Sequence, residues 1–226
     1  MRYKNIHKAV FLARPNRFIA KVLLDGREET VHVKNTGRCR ELLVPGCAVY
    51  LEKADGAARK TAFDLVAVEK GERLINMDAQ APNKLFAEWA EAGRFTTGLT
   101  LLRPETAWGN SRFDFYWEAG ERKGFVEVKG CTLEEDNWTY FPDAPTERGV
   151  KHLEELIRAR EAGYEAAVFF AIQMAGARGF SPNDRTHPAF GDALRRAAAA
   201  GVEVLAFGCS VTPEEVYITS KMPVRL

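Results

Sequence analysis

The chain has 226 residues, 46% of them hydrophobic and 28% charged, enough to bury a core and too ordinary for a disordered or low-complexity polypeptide. Its net charge of +1 is unevenly placed: residues 1–80 carry 15 Lys and Arg against 10 Asp and Glu, and residues 81–226 carry 17 against 21. The longest uncharged apolar run, Ala166–Ile172, is too short to cross a bilayer, and MRYKNIHKAV lacks the apolar core of a secretory signal, so a cytoplasmic protein without a membrane partner is expected.

In chain order, the first 24 residues hold six basic side chains and no acidic one. Arg17–Leu24 alternates polar and apolar residues, Asp25-Gly26 is a turn signal, and Glu29–Val33 returns, which predicts a β-hairpin. Ala48–Glu52 and Thr61–Val68 continue the strand pattern, with turns at Pro45-Gly46 and Asp55-Gly56. About five short strands in some 80 residues predict a small OB-like barrel over residues 1–80. A basic barrel beside a mildly acidic second domain fits polyanion binding in one and metal binding in the other, although uneven surface charge has the same appearance.

The pattern changes near Pro82, where a second domain over 81–226 is expected to begin. Leu85, Phe86, Trp89 and Ala90 have helical spacing, and Gly93 ends that helix. Strands are predicted at Thr100–Arg103, Arg112–Trp117 and Gly124–Lys129. Thr146 is an N-cap for a helix from Glu147 to Ala162, closed by Gly163. A buried strand at Ala166–Ile172, a helix at Pro188–Ala200 and a strand at Val202–Phe207 complete an α/β (α+β) domain with a mixed sheet. Cys39, Cys47, Cys131 and Cys209 lack a C-x-x-C spacing and read as free thiols.

Chemistry concentrates in Ser111-Arg-Phe-Asp-Phe and Phe125-Val-Glu-Val-Lys. Strand alternation sends Glu127 and Lys129 to one face and Val126 and Val128 to the other. In the first strand Phe113, Phe115 and Trp117 are expected to share the buried face, with Asp114 opposite. Twelve residues lie between Asp114 and Glu127, enough for antiparallel neighbours that set the carboxylates side by side with Lys129 adjacent. Paired carboxylates repel, and Mg²⁺ or Mn²⁺ relieves the repulsion; the lysine then steadies charge developing on a phosphate. A solvated strand face would carry the same letters. The arrangement resembles the PD-(D/E)xK nucleases, many of which draw another metal ligand from the preceding helix. That resemblance implies Glu88 as the further ligand, in preference to Glu91.

Further phrases extend a resemblance over nearly the whole chain: Arg14-Pro-Asn-Arg-Phe-Ile-Ala, His32-Val-Lys-Asn-Thr-Gly-Arg, Arg59-Lys-Thr, Phe141-Pro-Asp-Ala-Pro-Thr-Glu-Arg-Gly-Val-Lys-His-Leu and Met222-Pro-Val. In order and in both domains, these resemble the sugar fermentation stimulation protein A (SfsA) family of bacteria and archaea. The resemblance implies an OB-like N-terminal domain, a nuclease-like C-terminal domain and non-specific DNA binding, and the family name attaches a regulatory role in sugar (maltose) metabolism. Cys39 and Gly130-Cys131 depart from the usual family letters without touching Asp114, Glu127 or Lys129.

Arg14, Arg17, Arg38, Arg59 and Lys60 are the candidates for a DNA-facing surface of the barrel, with Arg14, Arg17 and Arg38 expected to serve binding more than folding. Phe18 reads as core in preference to a base-stacking ring. The helix opening near Asp143 offers amide N–H groups to a phosphate, with Arg148 and Lys151 on its first turns. His152 reads as a surface or capping residue, and Gln173 as reaching the site or ending its strand. Two functions compete: a DNA-binding, regulatory protein on a nuclease-like platform, and an active Mg²⁺- or Mn²⁺-dependent nuclease cleaving DNA or RNA.

Overall fold

Alternating apolar side chains build the first domain in the computed structural model, which describes residues 1–35, 37–54 and 59–226. Strands β1 (Ile6–Asn16), β2 (Ile19–Leu24) and β3 (Arg27–Val33) form an antiparallel meander. The β2–β3 turn needs positive φ at both central residues, and Asp25 (49°) and Gly26 (77°) supply it. Next, β4 (Ala48–Lys53) pairs with β1, and β5 (Phe63–Lys70) pairs with β4. A parallel pairing of His32 with Asp64 joins β3 to β5 and closes the barrel; β6 (Arg73–Asn76) extends it from β5. Val22, Val31, Val49, Leu51, Leu65 and Val68 fill the interior. The OB-like expectation therefore holds.

Two details depart from it. Arg17 and Phe18 form the β1–β2 turn, and Phe18 is 50% exposed, so it is not core. Strand β1 was not legible because only Ala9 and Phe11 are buried among charged and half-buried neighbours. The turn expected at Asp55-Gly56, like Thr36, lies outside the described residues.

The second domain begins with α1 (Ala81–Glu91), whose Pro82 suits the amide-free first turn. Strands β7 (Leu101–Trp108), β8 (Ser111–Ala119) and β9 (Arg122–Cys131) follow as an antiparallel meander. Short β10 (Leu133–Glu135) and β11 (Trp138–Phe141) lead to α2 (Glu147–Glu161). Thr146 caps α2 as expected, its hydroxyl accepting from the Gly149 amide at 3.0 Å. Then come β12 (Glu165–Ile172), β13 (Gly179–Pro182), α3 (Pro188–Ala199), β14 (Glu203–Val211) and β15 (Val216–Lys221).

The main sheet runs β15-β14-β12-β9-β8-β7, with β9, β12 and β14 parallel and the outer pairs antiparallel. A small sheet, β10-β11-β13, lies beside it. Phe86 of α1 packs on Phe115 and Phe169, with ring centroids 5.1 Å apart in each case. Leu153 and Leu156 of α2 and Leu194 of α3 belong to a separate core with Phe113 and Phe125. Phe113 thus does not share the face of Phe115 and Trp117 as the alternation predicts; strand β8 changes its facing at Asp114.

Polar side chains join the domains. Gln173 donates to Asn76 Oδ1 (2.8 Å) and the Asp78 carbonyl (3.0 Å), and Asn76 donates to the Tyr3 hydroxyl. The start of the chain lies along the second domain, with the Val216 amide on the Met1 carbonyl and Arg2 bridged to Glu215.

Candidate metal centre and nucleic-acid interface

Where β8 and β9 separate, Asp114 takes over from the backbone ladder. The last described pair is Phe115 with Val126, a register that sets Asp114 opposite Glu127 one step further on. There the Asp114 carboxylate accepts the Val128 amide at 2.8 Å and the Asn83 side-chain amide, from the first turn of α1, at 3.0 Å. Glu127 is 2% exposed, on the face away from Val126 and Val128. Its Oε1 accepts from Lys129 Nζ and meets His152 Nδ1 of α2. Its Oε2 is buried and has no hydrogen-bond partner among the described residues.

The two carboxylates titrate in opposite directions. Burial, then the neighbouring Glu127 charge, pushes the Asp114 carboxyl above its ordinary value. Burial also pushes Glu127 upward, but His152 and Lys129 outweigh it and hold that carboxyl below its ordinary value. The pair therefore carries one well-compensated charge and one poorly compensated charge, with an unpartnered oxygen between strand and helix. Hard divalent cations take such oxygen donors. Among the described residues no group of three or more His, Cys, Asp and Glu side chains is placed to hold a metal, so two carboxylates would be the protein's acidic donors.

His152 is the residue that sequence reasoning missed. It is buried, not a surface or capping residue, and Arg148 Nε approaches its Nε2 at 3.3 Å. An arginine only donates, so the contacts suit an accepting Nε2 and a donating Nδ1–H toward Glu127. The signal was present: His152 falls on the buried stripe of α2 with Gly149, Leu153, Leu156 and Ala159.

Other expected ligands and contacts are distributed differently. Glu88 is not brought to the pair: it is exposed on α1 and its carboxylate takes the Met1 amino group at 2.6 Å. Arg14 does not face a ligand; its guanidinium donates to the carbonyls of Arg17, Asn35, Gly37 and Arg38 at 2.6–2.8 Å. Arg59 is engaged by both Asp64 oxygens, at 2.5 and 3.1 Å, and Asp64 also meets His32. Arg17, Arg38 and Lys60 are exposed, and none has an ion-pair partner among the described residues; Arg17 lies over the Phe18 ring at 5.5 Å. Arg148 is exposed beside His152, whereas Lys151 donates to the Asn110 carbonyl at 2.7 Å. At the start of α2 the Thr146 amide meets His187 Nδ1 and the Gly149 amide meets Thr146, so these two are not open to a phosphate.

The barrel and the second domain enclose a cleft of about 360 Å³ at the end of β9. Asn35 and Gly37 form its barrel wall; Gly130, Tyr140, Asp143 and Gln173 line the other side. A Cβ on Gly130 would stand 2.3 Å from Gln173 Oε1 and 2.8 Å from Pro82 Cγ, so the second-domain wall has no room for one there; a Cβ on Gly37 would stand 2.9 Å from Asp143 Oδ2.

Comparison with known proteins adds three findings. The family model for the sugar fermentation stimulation protein RE domain matches residues 80–215, and that for the SfsA N-terminal OB domain matches residues 12–77. Sugar fermentation stimulation protein homologs from Desulfitobacterium hafniense (strain Y51) and Ruminiclostridium cellulolyticum are 58% and 54% identical over 226 residues, covering 100% of this chain and 99% and 100% of theirs. The solved structure of Pyrococcus furiosus SfsA in complex with Ca²⁺ matches with a TM-score of 0.91 at 28% identity, over 100% of this chain and 98% of that one.

Proposed function

Because this chain belongs to the sugar fermentation stimulation protein (SfsA) family, we propose that it binds duplex DNA largely without sequence preference and holds one divalent cation at Asp114 and Glu127 in a PD-(D/E)xK-type site. The observation that carries this reading is Glu127 Oε2, buried and unpartnered beside a carboxylate whose charge is itself poorly compensated. A buried carboxylate oxygen without a donor is costly unless something outside the chain completes it. The Ca²⁺ named with the Pyrococcus furiosus relative supports a hard cation in this family.

Within the site, Asn83 and the Val128 amide hold Asp114, while His152 and Lys129 hold Glu127. Bound Mg²⁺ or Mn²⁺ would supply Lewis-acid polarisation of a phosphate and an acidified water. In this reading Lys129 Nζ would leave Glu127 for a phosphate oxygen and stabilise the charge developing there. Arg17, Arg38, Lys60 and Arg148 contribute phosphate contacts, which give affinity without reading bases. A regulatory role in sugar metabolism fits the name that the relatives carry.

A second reading, a binding platform without turnover, is favoured by the small acidic donor set among the described residues. Calorimetric titration with Mn²⁺ and incubation with single-stranded, duplex and branched DNA separate the two. Wild-type protein should bind Mn²⁺, Asp114→Asn and Glu127→Gln should not, and Glu88→Gln should bind like wild type. Lys129→Met should keep metal binding and abolish hydrolysis. Metal binding with intact DNA favours the platform; equal, negligible heats in all variants overturn the metal site.

A further inference from the structure

The interdomain cleft has the wrong chemistry for a phosphate. Its lining contains no Lys or Arg, and its charged side chain is Asp143, exposed and without a hydrogen-bond partner among the described residues. Beside the hydroxyls of Thr132, Tyr140 and Thr146, it presents two acceptor-only oxygen groups, on Gln173 and Asp143. Gln173 is 2% exposed and both hydrogens of its amide are engaged, by Asn76 Oδ1 and the Asp78 carbonyl. Its orientation is therefore set, and its Oε1 is held over Gly130 without a donor among the described residues. Asp143 closes toward Gly37 from the other side.

On the barrel side Asn35 is held as well. Asn35 donates to the Met77 carbonyl at 2.9 Å and accepts the Gly37 amide at 2.8 Å, while Arg14 binds the carbonyls around it. Tyr140 adds an aromatic wall. Basic side chains occur in the flanking segments: Arg38 follows Gly37, and Arg148 lies on the first turn of α2. An acceptor-lined, partly aromatic interior between exposed guanidiniums matches one unstacked nucleobase whose flanking phosphates remain outside.

Resting on the nucleic-acid reading above, we propose that this cleft receives an unpaired nucleobase through its N–H donor edge, beside the Asp114–Glu127 site. Guanine fits best, because its adjacent N1–H and N2–H groups meet a carboxylate in bidentate fashion, as Asp143 requires. Thymine fits worst, since its single N3–H is flanked by two carbonyls that would face the acceptors. Gly130 follows Lys129 in β9, on the face shared with Val126 and Val128, so the cleft lies at the end of the strand that carries the proposed metal site.

Fluorescence anisotropy of the full chain decides the matter, using dT20 oligonucleotides whose central position is guanine, thymine or abasic. Guanine should bind roughly 10- to 100-fold tighter than the abasic strand, with thymine near the abasic value. Asp143→Asn should reduce the guanine preference to less than about 3-fold while abasic binding is retained or slightly tighter, because a negative charge beside the strand is removed. Equal binding of all three strands, or an undiminished preference in Asp143→Asn, overturns the cleft proposal while leaving DNA binding in place. Absence of binding to any of the three strands overturns the cleft proposal too.

Discussion

Asp114 and Glu127 differ in what their charges cost. Glu127 is held below its ordinary carboxyl value, so it contributes stability above that value and loses it as pH falls through the folded one. Asp114 is raised, so the folded protein takes up its proton at a higher pH than the unfolded chain, and stability falls as pH rises through that window. Asp114→Asn should therefore raise the thermal midpoint of the metal-free protein at neutral pH, an advantage that vanishes below the ordinary Asp range. Glu127→Gln should lower the midpoint, because it weakens the acceptor of both Lys129 and His152. Thermal scans from pH 3 to pH 8 with chelator check both signs. Arg14 also acts on stability. Arg14→Ala removes charge-assisted bonds to four carbonyls and should cost about 2–4 kcal/mol, whereas Arg17→Ala and Arg38→Ala should each stay within about 0.5 kcal/mol. Urea melts of the three variants separate the structural arginine from the exposed ones.

At the scale of elements, the site exists because β8 and β9 separate one residue past Phe115 and α1 and α2 cover opposite faces of the sheet. Asn83 reaches Asp114 from α1 and His152 reaches Glu127 from α2, so each carboxylate is held by a different helix. At Gly130, near the end of β9, the strand is crowded by α1 and by the residue after β12: an added Cβ would meet Gln173 Oε1 at 2.3 Å and Pro82 Cγ at 2.8 Å. Gly130→Ala should cost about 1–3 kcal/mol through overpacking and should weaken Mn²⁺ binding by moving the strand that carries Glu127 and Lys129. Calorimetric unfolding and Mn²⁺ titration of this variant are the check, and an unchanged affinity would separate the strand end from the metal site.

Across the whole molecule, the barrel is basic by composition, yet much of that charge is internally engaged. Lys8 pairs with Glu69, Lys21 with Glu28, Arg59 with Asp64, and Lys34 stands within 3.3–3.7 Å of Glu52, Asp64 and Asp78. Of the candidate phosphate contacts, Arg17, Arg38, Lys60 and Arg148 are exposed and without an ion-pair partner among the described residues. Four contacts at about 0.9 each give a slope of roughly −3 to −4 for log affinity against log salt on duplex DNA. Anisotropy across a salt series measures it; a slope near zero would remove the proposed contact set, and one far steeper would require further basic side chains, such as the exposed Lys4, Arg27, Arg40 and Lys53.

Local rules made part of this protein legible. Alternation along β9 placed Glu127 and Lys129 together, apart from Val126 and Val128, and the hydroxyl of Thr146 marked the start of α2. The Asp25-Gly26 turn and the apolar residues of β2–β5 likewise announced the barrel. These features depend on neighbours a few residues away, which one sequence contains in full. The partners came from much farther along the chain. Glu88 meets Met1 instead of Asp114, Glu127 meets His152 across 25 positions, and Arg14 binds a loop more than 20 residues distant. Those choices follow from strand register, from the change of facing at Asp114 and from the helix that covers each face of the sheet. Such packing relations exist only once the domains have folded and docked, so the motif could be read from the sequence while the company it keeps was decided by the tertiary structure.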